Sequence, residues 1–416
     1  MPDSSPLGSS NVSLRTLRDQ LTSEAQQLLS MTIDHSNRHR HDLWLVGGAV
    51  RDLLMNRPVR DIDITTTGDS LALAEAVQSE WTASEIDIVS HSDLLTASLR
   101  TDSNTQLDIS RLRTERYTRP GGLPIVSTTK EINLDLQRRD FSINAMAVGL
   151  SQDIENTFHD PFNGLSAIET GTLVTLHDNS FVDDPTRLWR AARLLTSHEL
   201  MLDANASHQL HMPEISFENV AGIRLVSELR QISEGPLTLE ICSQLHEWGV
   251  LERSHPALSF EFSNFRSTKA LTGYNLRTLL TGLLLDATDE MRIAALDRLQ
   301  LPKQLKLFVQ EASGILNNNR APHFTADNIR YYEKINEESL AIAGTLDSAK
   351  TAPFVDAIAT WKLCSSHLTA SDLREIGITA GPDIGSALHQ LKWADFKGII
   401  KSKNDAYYFL RNKDIK

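Results

Sequence analysis

Cysteine is scarce in this chain of 416 residues: Cys242 and Cys364 are the only two, and their separation is not that of metal ligands. A disulfide framework and a cysteine zinc site are therefore not expected, and a reducing cytoplasm is the expected compartment. Aromatic residues make up only 6%, too few for broad base-stacking platforms. Long hydrophobic runs are missing. The most apolar stretches, such as residues 279–285, fall far short of the roughly 20 needed to span a bilayer, so no membrane partner is expected. The polar opening MPDSSPLGSSN lacks the charged-then-apolar order of a signal peptide. Lysine is nearly absent from the first 229 residues, where Lys130 stands alone and arginine carries the positive charge. The net charge of −13 argues against a general polyanion binder. Distribution softens that objection, because Lys392, Lys397, Lys401, Lys403, Arg411, Lys413 and Lys416 crowd the C-terminal end. They form either a solvated helix face or a phosphate-contacting surface.

What is present fits a globular protein of two to four domains, 40% hydrophobic and 23% charged. The strongest signal is LVGGAVRDLLMNRPVRDID, residues 45–63. The apolar run 43–46 reads as a buried strand broken by Gly47-Gly48, with a helix over 49–55 that stops near Pro58. A strand resumes at 61–64, where period two places Asp61 and Asp63 on one face and Ile62 and Ile64 in a core. Two glycines ahead of a helix let backbone approach phosphate, and paired carboxylates on a neighbouring strand can hold a divalent metal. A lone Gly-Gly is usually a turn and a lone Asp-x-Asp usually a solvated edge; together they have the layout that a nucleotidyl-transfer site needs.

Helical spacing predicts an amphipathic helix over 13–33, followed by a polar connection holding His35, His39 and His41. A helix is expected over 70–79, with strands at 86–89, 94–99 and 106–110. Asp108 falls on the last strand, where a third carboxylate could engage an attacking hydroxyl in a two-metal site. Residues 114–133, with Pro120, Gly121, Gly122 and Pro124, read as a loop or mobile flap. Arg138-Arg139-Asp140 then precedes a run over 141–150 that is compatible with helix. Adjacent arginines with an aspartate can hold triphosphate oxygens and a ribose hydroxyl. Asp160-Pro161-Phe162-Asn163-Gly164 has turn composition.

In FVDDPTRLWRAARLL, residues 181–195, Asp184 can cap the helix that Pro185 starts. Arg187, Arg190 and Arg193 follow at steps of three beside a buried-looking Trp189. An aspartate accepting from an exocyclic amine, with an arginine donating to a ring nitrogen or carbonyl, could read a base edge. Arg224 and Glu228 stand at i,i+4, the spacing of a helix-stabilising ion pair. From 237 onward the pattern is repeatedly helical, with no further catalytic motif.

The motifs LVGGAVRD with RDID, RRDFSINAMA, and DDPTRLWRAAR together resemble class II tRNA nucleotidyltransferases and the related bacterial poly(A) polymerases. The resemblance covers about the first 230 residues well. It implies an α+β nucleotidyltransferase head, a small mixed sheet with helices, over 1–165, followed by all-α segments: a neck over 166–235, a body over 236–340 and a tail over 341–416 that grips tRNA. It further implies that Asp61 and Asp63 hold Mg²⁺, with Asp108 as a further catalytic carboxylate. Gly48, Arg51 and Arg139 would bind the triphosphate, with Asp140 near the sugar. Asp184 and Arg187 would template CTP and ATP, and Arg190 and Arg193 would be further nucleotide-site arginines. The family usually has Glu where this chain has Asp183, and its motif at Arg224 and Glu228 braces the neck. Addition of CCA to the tRNA 3′ end, releasing pyrophosphate, is the leading expectation, with no protein partner implied. A-only or CC-only addition and poly(A) synthesis are alternatives, as is a catalytically inert RNA-binding relative. In CC-only enzymes a flexible loop in the region of 114–133 is shortened, whereas here it is present at near full length.

Overall fold

The computed structural model describes residues 13–59, 61–103, 105–265, 274–317, 324–379 and 381–412. The polar N-terminal stretch, Lys413 and Lys416 lie outside the described residues. Two compact units form, residues 1–228 and 229–416.

In the first unit, the helix expected over 13–33 is two helices, α1 (Leu14–Gln20) and α2 (Ser23–Arg38). Leu21 is extended, and the Thr22 hydroxyl accepts from the Ala25 amide, so a second N-cap starts where one continuous helix was read. His35 is not in a polar connection but inside α2, buried, with Nε2 3.0 Å from Glu80.

The following elements are β1 (Leu43–Val46), α3 (Gly48–Leu54), β2 (Ile62–Thr66), α4 (Ser70–Glu80), β3 (Ile86–His91), β4 (Thr96–Thr101) and β5 (Gln106–Arg111). The strand expected from 94 starts at Thr96, because Ser92–Leu94 make a 3₁₀ turn and Leu95 takes a left-handed φ of 54°. Next come β6 (Arg113–Arg116), β7 (Ile125–Thr128), α5 (Ile132–Gln137), β8 (Ala147–Gly149) and β9 (Phe158–His159). A seven-stranded mixed sheet runs β3-β4-β5-β2-β1-β8-β9, with β2 and β5 parallel and the other neighbours antiparallel. Side chains of β1 are buried throughout, which is why its sequence is uniformly apolar rather than alternating.

Two segments fold differently from expectation. The stretch 114–133 is not all loop, since β6 and β7 pair antiparallel from Arg113↔Thr128 to Arg116↔Ile125, leaving only the Pro- and Gly-rich residues as the connection. Nor is 141–150 helical. Ser142–Asn144 form one 3₁₀ turn and β8 pairs with β1, Ala147 opposite Val46. Sheet pairing of a wholly buried segment overrides its helical propensity.

The unit continues through α6 (Gly164–Thr170), β10 (Thr172–Leu173), α7 (Ser180–Asp183), α8 (Thr186–His198), β11 (Met201–Leu202), α9 (Ala204–Gln209) and the first half of α10 (Gly222–Ser233). Asp160 makes the expected turn rigid: its carboxylate accepts from the amides of Gly164 (2.6 Å) and Leu165 (3.0 Å). Trp189, Leu188, Ala191 and Ala192 bury one face of α8 completely.

In the second unit the described residues after Leu229 form helices and no strand, among them Leu276–Leu283, Lys303–Leu316, Ser348–Leu363 and Pro382–Phe396. Leu368, Leu373, Ile384, Leu391, Ile400 and Leu410 gather into one core near the C-terminal end. No helix among the described residues is long and apolar enough to cross a membrane.

Candidate nucleotidyl-transfer site

The end of β1 brings the first residues together. Gly47 has φ +69°, a conformation that disfavours any residue with a Cβ. A Cβ placed there would lie 3.1 Å from Arg139 Nη1 and 3.6 Å from Asp63 Oδ2, so strand end, carboxylate and guanidinium converge on this glycine. At Gly48 a Cβ would meet Arg51 Nη2 at 3.3 Å. Asp63 sits on β2 between buried Ile62 and Ile64, directly in register with Asp108 on parallel β5, and Asp61 immediately precedes the strand. Burial, then the negative charge of Asp108, lifts the Asp63 carboxyl to about 6; Asp61 adds to the rise and Arg139 opposes it. Gln106 Nε2 holds Asp108, donating 3.0 Å to each carboxylate oxygen.

This donor set suits a hard divalent cation, which would relieve the repulsion that raises Asp63. Among the described residues no three His, Cys, Asp or Glu side chains form a ready-made metal cage. Mg²⁺ does not need one, because it binds through one or two carboxylates plus substrate phosphates.

A continuous polar chain runs outward from Arg51. Its guanidinium donates to Asp52 (Nε, 2.9 Å) and to Asn144 Oδ1 (Nη1, 2.6 Å), and Asn144 Nδ2 donates to Asp140 Oδ1 at 3.0 Å. Asp140 also accepts from the Phe141 amide and from Arg190 Nε at 2.7 Å. Burial alone would raise the Asp140 carboxyl, but Arg190 and Asn144 outweigh it and hold it well below the usual range. Glu228 closes the chain, 3.3 Å from Arg193 and 3.8 Å from Arg190.

A second chain starts at Arg139. Fully buried Asp135 accepts from Arg139 Nη2 (3.0 Å), Arg138 Nε (3.0 Å) and the Arg113 amide (3.1 Å). Glu115 pairs with Arg113 and Arg138. Arg139 Nε is buried without an acceptor, a donor available to an anion. The carbonyl of Arg138 accepts from Arg187 Nη2 at 2.9 Å, while Arg187 Nη1 donates to Ser180 Oγ at 2.6 Å. Asp184 Oδ1 accepts from the amide and hydroxyl of Thr186 at the start of α8, and Asp184 Oδ2 pairs with Arg224 at 2.6 Å. Burial, which would raise the Asp184 carboxyl, is outweighed by Arg224 and Arg187, so it lies below its ordinary value.

The local i,i+4 pair expected between Arg224 and Glu228 is therefore not made. Each side chain serves a different partner on α8 or at its start: Arg224 pairs with buried Asp184, and buried Glu228 with Arg190 and Arg193.

Residues 43–174 match the model of the poly A polymerase head domain. The A-adding tRNA nucleotidyltransferase of Halalkalibacterium halodurans is 28% identical, over 94% of this chain and 93% of its own length. The CC-adding tRNA nucleotidyltransferase of Deinococcus radiodurans is likewise 28% identical, over 89% of each. A CCA-adding enzyme of a Geobacillus species reaches 32% over 51% of this chain and 50% of its own. Residues 43–174 are thus similar to a poly A polymerase head domain, and the relatives that match along most of the chain are tRNA nucleotidyltransferases. The fold follows suit. The apo form II structure of a CCA-adding enzyme superposes with a TM-score of 0.71 at 24% identity, over 95% of this chain and 97% of that one. Complexes of CCA-adding enzyme with ATP and with CTP both give 0.69, at 23% and 22% identity, over 96% and 97% of this chain and 97% and 98% of those.

In this chain Asp63 and Asp108 stand side by side with Arg139 at Gly47, while Arg51 lies over Gly48. Asp140, Arg190 and Arg193 share the first chain, and Asp184 and Arg187 lie at the start of α8. Motif reading missed Asp135, Glu115, Asn144 and His177. Asn144 carried a signal, standing four residues after Asp140. Asp135 and Glu115 become site residues only when β6 and α5 stack their charges together. His177 lies between elements, its Nε2 3.5 Å from Arg187 Nη1 and 3.9 Å from Asp183 Oδ2.

Proposed function

We propose that this protein adds nucleotides to the 3′ end of tRNA, using CTP and ATP and releasing pyrophosphate, with addition of the whole CCA end as the leading reading. The observation that carries it is the meeting of Asp63, Asp108, Gly47 and Arg139 at the end of β1, in a chain whose homologues are tRNA nucleotidyltransferases. Solved relatives of the same fold have been captured with ATP and with CTP.

In this reading Asp61 and Asp63 hold Mg²⁺, which when bound activates the terminal hydroxyl and neutralises developing charge on the α-phosphate. Asp108 engages the attacking hydroxyl beside Asp63. Arg51, Arg139 and the Gly48 amide take the triphosphate, with Asp140 near the sugar. The Asp184 carboxylate accepts from the exocyclic amine that cytosine and adenine share. Arg187 donates to the ring nitrogen or carbonyl beside it, with Arg190 and Arg193 completing the nucleotide site. Residues 1–165 act as the catalytic head, 166–235 as the base-selecting neck, 236–340 as the body and 341–416 as the tRNA-binding tail. The substrate places the enzyme in the cytoplasm.

A-only or CC-only addition is the second reading. It is favoured by the A-adding and CC-adding relatives that match along most of the chain at equal identity. Primer extension decides among them, on tRNA transcripts ending before CCA, after C and after CC, each with Mg²⁺ and CTP, ATP or both. CC followed by a single A on the shortest transcript establishes CCA addition. A stop at CC, action on the CC-ended transcript alone, or a long run of A each selects another reading. No incorporation at all would leave a binding relative.

A further inference from the structure

We infer that His177 is a positioning residue that tunes nucleobase choice by holding the Arg187 guanidinium on its solvent side. The inference rests on Asp184 and Arg187 reading the base, as proposed above. Backbone contacts pin the residue: its carbonyl accepts from the Ser180 amide at 3.3 Å and from Gln209 Nε2 at 3.1 Å, so α7 and α9 both fix its place. Nε2 then lies between a cation and an anion, Arg187 at 3.5 Å and Asp183 at 3.9 Å. Arg187 is buried, whereas the side chains of His177 and Asp183 stay 38% and 34% exposed. The pair thus stays open to solvent beside a buried guanidinium.

The chemistry is an exchange of acceptors. In the neutral tautomer whose Nε2 carries no proton, the imidazole accepts from Arg187 Nη1, which also donates to Ser180 Oγ. An incoming cytosine or adenine offers its own ring nitrogen or carbonyl to the same donor. The guanidinium is thus held in its reading orientation before the base arrives, and the base competes with the imidazole to take it over. Released, the imidazole has Asp183 to turn to. This gives the aspartate found where the family usually has Glu a defined neighbour.

Charged groups facing His177 are Arg187 on α8, Asp183 on α7 and Asp178 on its own segment; Gln209 from α9 is neutral. Burial, then Arg187, holds the imidazole below its ordinary value, so the accepting form persists at neutral pH. Protonation reverses the arrangement, because the imidazolium is repelled by Arg187 and drawn to Asp183 or Asp178. Base choice should therefore loosen only below the ordinary imidazole value of about 6.5.

The test compares wild type, His177→Ala, His177→Gln and Arg187→Ala on the tRNA transcript the enzyme extends. Steady-state kcat and KM are measured for ATP and for CTP from pH 5.5 to 8, and folding is checked by thermal melting. At pH 7.5, His177→Ala should lower the ratio of kcat/KM for the preferred over the other nucleotide about fivefold or more, through KM rather than kcat. His177→Gln, whose amide oxygen can still accept from Arg187, should recover most of that ratio. Wild type should lose selectivity toward the acid end of that range, and the Gln variant should not. Unchanged selectivity in a folded His177→Ala, or the same acid response in His177→Gln, overturns the assignment. Unchanged selectivity in Arg187→Ala, or no transfer by wild type on any transcript, overturns the base-reading proposal itself, and the role of His177 with it.

Discussion

Arg190 Nε donates to Asp140 Oδ2 at 2.7 Å across 50 residues of sequence, joining the RRD motif to the arginine helix. Asp140 is the buried member, while the Arg190 side chain keeps 38% of its surface exposed. Arg190→Ala should therefore destabilise the protein by about 2–4 kcal/mol, the lower part of the range reflecting solvent access to the arginine. Urea denaturation at pH 7 measures it. The folded carboxyl lies below its unfolded value of about 3.9, so its contribution is complete above that pH and is lost as pH falls through the folded value. Asp140→Asn should remove that acid dependence.

Asp63 works in the opposite sense. With its folded carboxyl raised to about 6, the native state binds the proton more tightly than the unfolded chain does. Stability from this group is full below the unfolded value and is lost as pH rises through about 6. Asp63→Asn should abolish transfer and yet stabilise the protein at pH 8 in EDTA by up to roughly 3 kcal/mol. Mg²⁺ with CTP or ATP should raise the melting temperature of wild type and leave that of the variant nearly unmoved. A variant that melts below wild type at pH 8 would contradict the electrostatic account.

Gly47→Ala places a methyl group where φ is +69° and Arg139 Nη1 is 3.1 Å away. The backbone strain should cost about 1–2 kcal/mol. Displacement of Arg139 beside Asp63 should add a much larger loss of turnover, about 100-fold. Melting and single-turnover transfer, measured on the same preparation, separate the two effects.

Asp184→Asn exchanges an acceptor-only carboxylate for an amide, and it also weakens the pair with Arg224. Discrimination between CTP and ATP should change by about tenfold or more, with pyrophosphate release per nucleotide unaltered. Arg224→Met should show a smaller change of the same kind, because Arg224 holds Asp184 rather than the base. Equal turnover ratios in all three proteins would remove Asp184 from base reading.

Lys397 and Lys401 are exposed, and Lys397 Nζ lies 4.7 Å from the centre of the Trp393 ring. Replacing both lysines with Glu should raise KM for tRNA severalfold and flatten its salt dependence, with KM for nucleotide unchanged. An equal rise in both constants would instead mark a disturbed fold.

Local chemistry written in the chain was enough to place β1, the glycine turn, β2 and the helix of residues 70–80. Uniform apolarity, Gly-Gly and strict alternation each have one favoured backbone solution. The carboxylates of β2 and β5, the RRD motif and the start of α8 were legible for the same reason. Short-range pattern could not decide what becomes of 141–150, a segment that would make a good helix by itself. Pairing with β1 turned its end into a strand, and that pairing places Asp140 and Asn144 against Arg51 and Arg190. The ion pairs show the same limit. Arg224 and Glu228 have the spacing of partners, but packing brings buried Asp184 to the first and the arginines of α8 to buried Glu228, and helix spacing cannot foresee either meeting. Sequence by itself determined which residue types could do nucleotidyl transfer and the strand and turn that carry the first of them. Only the tertiary structure decided which charges meet, because desolvation, a property of the packed fold, sets how strongly each one demands a partner.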